Sequence, residues 1–254
     1  MKSSLKTTMI WSVLFLLIWF FGCATTKIKP NLTPEDRLLT AKLLLYKHDY
    51  LRAKTEFTIL VLNYPGTQIA DKSQYYLAES HFGLKEYILA AAEYEKMIRN
   101  YPSSDFADDA QFKLGLCYYE LSPNYALDQK YTYQAIVEFQ RFLEEYPNSD
   151  LKPEVEKKLS ASRMKLAKKE YKSADLYRKM AEYQAAVVYF DGVLNNYYDT
   201  PFAEEALFRK GECLMKLKQW QEALKVFEVF LEKYPQSRLT EATRAHLKLV
   251  KGKM

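Results

Sequence analysis

The chain has 254 residues and a formal charge of +5, from 37 Lys and Arg against 32 Asp and Glu, with 21 Tyr and 14 Phe but only 7 Gly. So small an excess argues against wholesale nucleic-acid binding and against membrane adhesion by charge alone, since both want basic residues gathered on one face. The length suffices for one elongated helical domain.

At the amino end Lys2 and Lys6 precede an almost unbroken apolar run from Met9 to Phe21, followed by Gly22-Cys23. The run is too short to span a bilayer as a mature helix and has the shape of a secretory signal. A small residue directly before a cysteine resembles the bacterial lipoprotein signal, with Phe20 standing where that signal usually has Leu. The resemblance implies that residues 1–22 are removed and that Cys23 becomes a lipidated first residue; an ordinary cleaved signal or an uncleaved anchor is the other reading. Ala24 rather than Asp after the cysteine implies outer-membrane sorting, by resemblance to enterobacterial rules. Loss of Lys2 and Lys6 would leave a charge of +3.

Residues 23–33 read as a short polar tether. Thr33-Pro34-Glu35-Asp36 then opens a helix, with Thr as cap, Pro in the first turn and acids facing the positive end of the dipole. From there one phrase recurs five times, with an aromatic opener, Ala three residues on, an aromatic at seven, an aliphatic at eleven and Tyr at fourteen. The openers are Tyr50, Tyr87, Thr132 (the one departure), Tyr183 and Trp220, and the phrase closes at Tyr64-Pro65, Tyr101-Pro102, Tyr146-Pro147, Tyr197-Tyr198 and Tyr234-Pro235. Spacings of three and four belong to a helix stripe, and proline ends it.

The spacing predicts helices over 34–47, 50–63, 68–84, 87–100, 105–121, 131–145, 151–179, 183–196, 201–217 and 220–233, with a capping helix over 237–250. Five units follow, at about 34–65, 66–102, 103–147, 148–198 and 199–235, then a cap over 236–254. The fold expected for residues 34–254 is an all-α helical-repeat solenoid of five helix pairs. Thr67, Ser104, Ser149, Thr200 and Ser237 follow the junctions and are expected to cap the next helices. Ser122 to Lys130 forms an inserted loop in the third unit, and the first helix of the fourth is long and basic. Cys117 and Cys213 occupy equivalent positions in non-adjacent units, on the order of 20 Å apart if helices pack at 8–10 Å, and are expected to be small buried hydrophobes rather than a disulfide.

The units resemble the tetratricopeptide repeat, whose small, small, aromatic and proline positions are matched by Gly211, Ala223, Phe227 and Pro235, by Ala78, Ala90, Tyr94 and Pro102, and by Ala41, Ala53, Phe57 and Pro65. Nearly the whole chain resembles the BamD family of β-barrel assembly lipoproteins, most clearly from Phe112-Lys113-Leu114-Gly115-Leu116-Cys117 through Phe142 to Tyr146-Pro147-Asn148-Ser149. That resemblance implies a non-enzymatic outer-membrane scaffold, lipid-anchored on the periplasmic face. It would dock on the barrel-forming subunit BamA and help present unfolded outer-membrane proteins.

Two surfaces are candidates for binding. The repeat register puts Tyr75, Phe112, Tyr171 and Phe208 on the inner face of the first helices, with Phe82, Tyr119 and Met215 further along it, as an aromatic groove for extended peptides; the same rings could instead fill space between helices. The basic run of the long helix, with Lys165, Lys168, Lys169 and Lys172, could meet an acidic partner, or be a solvated face paired locally with Glu154, Glu156, Glu170 and Asp175. No catalytic motif, cofactor loop or metal-ligand cluster is visible, and paired acids such as Asp108-Asp109, Glu144-Glu145 and Glu204-Glu205 read as surface or dipole-stabilising groups. The other readings are an adaptor for a secretion or polysaccharide-export pore, and a repeat protein coordinating cell-wall synthesis or division.

Overall fold

The computed structural model describes residues 32–254, so the secretory run, Cys23 and most of the tether lie outside the described residues. Eleven helices are described: α1 (Pro34–Tyr46), α2 (Tyr50–Asn63), α3 (Ala70–Gly83), α4 (Tyr87–Asn100), α5 (Ala107–Leu121), α6 (Lys130–Glu145), α7 (Lys152–Lys179), α8 (Tyr183–Asn196), α9 (Phe202–Lys216), α10 (Trp220–Lys233) and α11 (Thr240–Lys251). Each packs chiefly on its neighbours in sequence, with lesser contact between first helices of adjacent units such as α7 and α9. That is a solenoid of five α-hairpins closed by α11.

Four of the five second helices begin at the phrase opener, α6 starting two residues before Thr132 at Lys130, and all five end just before the closing tyrosine, for reasons visible in the backbone. The tyrosines that close the phrase, Tyr64, Tyr101, Tyr146, Tyr197 and Tyr234, are the last half-helical residues, with φ between −124° and −135°. Within the phrase, Ala53, Ala90, Ala135, Ala186 and Ala223 are fully buried, as are Phe57, Tyr94, Phe139, Phe190 and Phe227. The residue ten places after the opener (Leu60, Met97, Phe142, Val193, Phe230) is also fully buried, whereas the aliphatic at eleven is only half-buried. At about 100° per residue, position ten falls beside the alanine and position eleven swings toward the rim of the stripe.

Small residues on the first helices complete the packing. A Cβ on Gly115 would lie 2.5 Å from the Phe139 ring, and one on Gly211 would lie 2.4 Å from Phe227. Cys117 and Cys213 are buried free thiols, as expected of small apolar fillers. Burial pushes the Cys213 thiol up to about 11, which keeps it protonated and inert.

The turns within units share one geometry. His48, Lys85, Ala181 and Lys218 sit at φ near +60°, and each is bracketed by a Schellman pair of bonds, such as His48 N–H to Leu45 O and Asp49 N–H to Leu44 O, both 2.9 Å. Between α5 and α6 this turn gives way to a loop, Ser122–Gln129, one residue shorter than predicted because Lys130 opens α6.

The Ser/Thr residues after the junctions do not cap the next helices. Those helices start two or three residues later, behind Ile69, Phe106, Leu151, Pro201 and Leu239, none of which supplies a side-chain cap bond. A backbone turn intervenes, closed for example by Ala107 N–H to Ser104 O at 3.0 Å. The hydroxyls serve the turn. Ser104, Ser149 and Ser237 accept the N–H two residues on and donate to an acid of the preceding first helix, namely Asp71 (2.7 Å), Asp108 (2.7 Å) and Glu204. Thr67 and Thr200 donate back to Tyr64 O and Tyr197 O at 2.9 and 2.8 Å. At α1, by contrast, Thr33 does cap, accepting the Asp36 N–H at 3.1 Å.

Candidate functional site

The aromatic set divides in the structure. Tyr75, Phe112, Tyr171 and Phe208 are only 3–7% exposed. Tyr75 stacks on Phe106 of the next unit at 4.8 Å, and Tyr171 lies 5.5 Å from Phe202. Phe112 meets Phe139 and Phe142, and Phe208 meets Phe227 and Phe230. The expected exposed groove of these four rings is therefore corrected: each fills the gap between its own hairpin and its neighbour. A first helix in a solenoid has a second helix on one flank and the next unit on the other, so its aromatic face is covered from both sides. Burial, then Glu205, pushes the Tyr171 hydroxyl up to about 12.

Phe82, Tyr119 and Met215 are half-buried. Lys113 Nζ lies 5.1 Å over Phe82, and Lys158 Nζ lies 4.5 Å over Tyr119. These rings are partly roofed by cations rather than open to a ligand. Lys113 is itself paired to Glu79 at 2.9 Å, and on α9 Arg209 pairs with Glu212 at 2.8 Å.

The long helix α7 organises the middle of the molecule, and its basic residues divide by role. Lys165 Nζ donates to Ser122 Oγ at 2.6 Å and to Ser122 O at 3.3 Å, and burial lowers its pKa. Lys169 Nζ donates to Leu127 O at 2.6 Å, and Lys168 Nζ sits 4.5 Å over the Tyr125 ring. Three of the four predicted docking lysines thus strap the Ser122–Gln129 loop onto α7, and Lys172 stays exposed. The loop is ordered from inside by Gln129, buried, whose amide donates to Asn124 O (2.8 Å) and Leu127 O (3.0 Å) and whose carbonyl accepts from Thr132 (2.7 Å). Sequence reasoning saw the loop and the lysines but not that they meet, because the contacts join residues 43 and 42 apart with no periodic signal.

The expected local pairing on α7 is confined to its end. Asp175 takes Arg178 at 2.7 Å and Lys179 at 2.8 Å; burial opposes its ionisation, but these two cations hold its carboxyl below the usual range. Glu154, Glu156 and Glu170 pair with no α7 lysine among the described residues. The guanidinium of Arg163 leaves α7 in the other direction and grips Asp199 at 2.6 and 2.8 Å and Asn196 O at 2.8 Å. This bond holds the junction where Tyr198 replaces proline.

Two open clefts flank α7. One, of about 930 Å³, lies toward α6 and the α8–α9 junction, between Tyr133, Val137 and Tyr198. The other, of about 850 Å³, lies under the strapped loop, between Tyr125 and Lys157, Met164 and Lys168. Among the described residues no group of three His, Cys, Asp or Glu could hold a metal ion, and no helix is long and apolar enough to cross a membrane. The paired acids have packing roles: Asp108 accepts from Ser149, Glu204 from Ser237, and Glu205 pairs with Arg209.

Comparison with protein families matches residues 33–218 to the family described as YfiO, outer membrane lipoprotein, and residues 205–237 to a tetratricopeptide repeat. Comparison with curated proteins finds no match. Among solved structures, the TPR2AB domain of yeast Sti1 in a complex described with pHSP90 is similar at 12% identity, with 86% of this chain and 83% of that one covered and a TM-score of 0.43. A tetratricopeptide repeat protein of Parabacteroides merdae matches at 15% identity, 87% and 74% coverage and a TM-score of 0.38. One of Thermus thermophilus matches at 16% identity, 86% and 98% coverage and a TM-score of 0.37. At such scores these likenesses carry no further conclusion.

Proposed function

This chain belongs to the YfiO family of outer membrane lipoproteins, and on that ground we propose that it is a non-enzymatic scaffold of the β-barrel assembly machinery, anchored through lipid on Cys23 at the periplasmic face of the outer membrane. In this reading it docks on a BamA-like barrel-forming subunit and helps present unfolded outer-membrane proteins. The observation that carries the proposal is the family match across residues 33–218, which takes in four of the five helix pairs and part of the last. The sequence supports it independently, with the apolar run and Gly22-Cys23 standing just before that match.

Asp108 and Glu204 hold adjacent units together, and both buried thiols are protonated fillers. What remains for partners is surface: the ion-pair-lined inner face, the basic helix α7 and the clefts on either side of it. In growing cells, labelled palmitate should enter the wild-type chain and not a Cys23→Ser variant, and only the wild type should sediment with outer membrane. Unlabelled wild-type chain in the cytosol would refute the anchored reading.

A further inference from the structure

On α7 cations outnumber their carboxylate partners, even where they hold the loop. Lys157, Lys158, Lys165, Lys168, Lys169 and Lys172 form no ion pair among the described residues, whereas Arg163, Arg178 and Lys179 do. Lys157, Ala161, Met164 and Lys168 follow one another at spacings of four, three and four, so they share one face, and Lys172 extends it by a turn. That face is the floor of the 850 Å³ cleft, whose opposite wall is the strapped loop and whose end is Phe202; its lining contains three lysines and no carboxylate. Met164 lies 41% exposed on this floor, an apolar side chain left uncovered between cations.

We propose that the cleft seats an extended, acidic segment of a partner polypeptide, with carboxylates on Lys157, Lys168 and Lys172 and an intervening apolar side chain on Met164 and Phe202. Unpaired cations around an apolar floor favour a ligand with both characters, and in an extended chain successive side chains point to opposite sides, so one segment can meet both. The cleft is concave, which suits a chain better than a lipid surface. Its free cations are all lysine, without the arginine fork that grips phosphate, which disfavours nucleic acid. The proposal rests on the scaffold reading only in needing a protein partner.

Fluorescence anisotropy of the full chain in detergent, using a short labelled peptide of alternating Asp and Leu, tests it. We expect saturable binding that weakens about tenfold in the Lys157→Glu, Lys172→Glu variant and also when the Leu residues of the peptide become Ser, with the circular dichroism melt unchanged. Should that variant fail to fold, Met164→Glu takes its place with the same expected loss. Equal binding by wild type and variant would overturn the proposal, as would capture of phosphatidylglycerol vesicles or oligothymidylate without capture of the peptide. Co-purification tests the scaffold reading separately: a wild-type chain that recovers no barrel-forming subunit removes that reading, while the peptide data still decide the cleft.

Discussion

Ser104 donates its hydroxyl to Asp71 at 2.7 Å, joining the start of the third unit to the first helix of the second. The bond recurs as Ser149 to Asp108 and as Ser237 to Glu204. The two junctions that carry Thr instead face Pro34 and Ala167 at the corresponding place, where no acid stands to receive the bond. Serine and acid therefore go together along the solenoid. A bond to a charged, part-buried acceptor contributes about 1.5–3 kcal/mol, so Ser104→Ala should cost about that in urea unfolding while Thr67→Ala costs less. Asp71→Asn with Ser104→Ala should show coupling in a double-mutant cycle.

The glycine notches predict a second effect. Gly115→Ala places a methyl group inside contact distance of Phe139, a ring with no exposed surface. Overpacking of this kind costs about 1–3 kcal/mol, and the thermal melt should fall accordingly. Gly66→Ala meets no neighbour within 4 Å, and its cost should come only from its φ of +77°.

Ala181 holds φ +62° in the turn between α7 and α8. A Cβ in the left-handed region costs about 1–2 kcal/mol, part of which glycine's greater unfolded-chain entropy offsets. Ala181→Gly should therefore raise stability by about 0.5–1 kcal/mol, read as a higher urea midpoint with no change in slope.

The inner aromatics behave as core. Phe112→Ala should cost about 3–5 kcal/mol, and Tyr75→Ala should lower the melting temperature comparably. A melt left unchanged by both, with peptide crosslinking lost, would return these rings to the groove.

Much of this fold was legible in the sequence, and the part that was not has a physical reason. Four of the five second helices came out to the residue, because the closing Tyr, mostly followed by Pro, stops the helix on one side and a left-handed turn starts it on the other; α6, which follows the inserted loop and has no such turn, begins one residue early at Lys130. The first helices of units two to five were drawn one or two residues early, and the capping helix three, because Ser104 and its equivalents look like caps when they close a preceding turn. Periodicity placed Tyr75 and Phe112 on one helix face, yet it does not say how many neighbours cover that face. Nor does it show that Lys165 reaches Ser122, a contact made only once the loop has folded back on α7.

The most direct test of the account is the identity of the partner that comes with the full chain from detergent-solubilised outer membrane after crosslinking. A lipid-anchored assembly scaffold should bring down the barrel-forming subunit together with unfolded outer-membrane proteins. Recovery of a secretin or a polysaccharide-export pore in their place would contradict it.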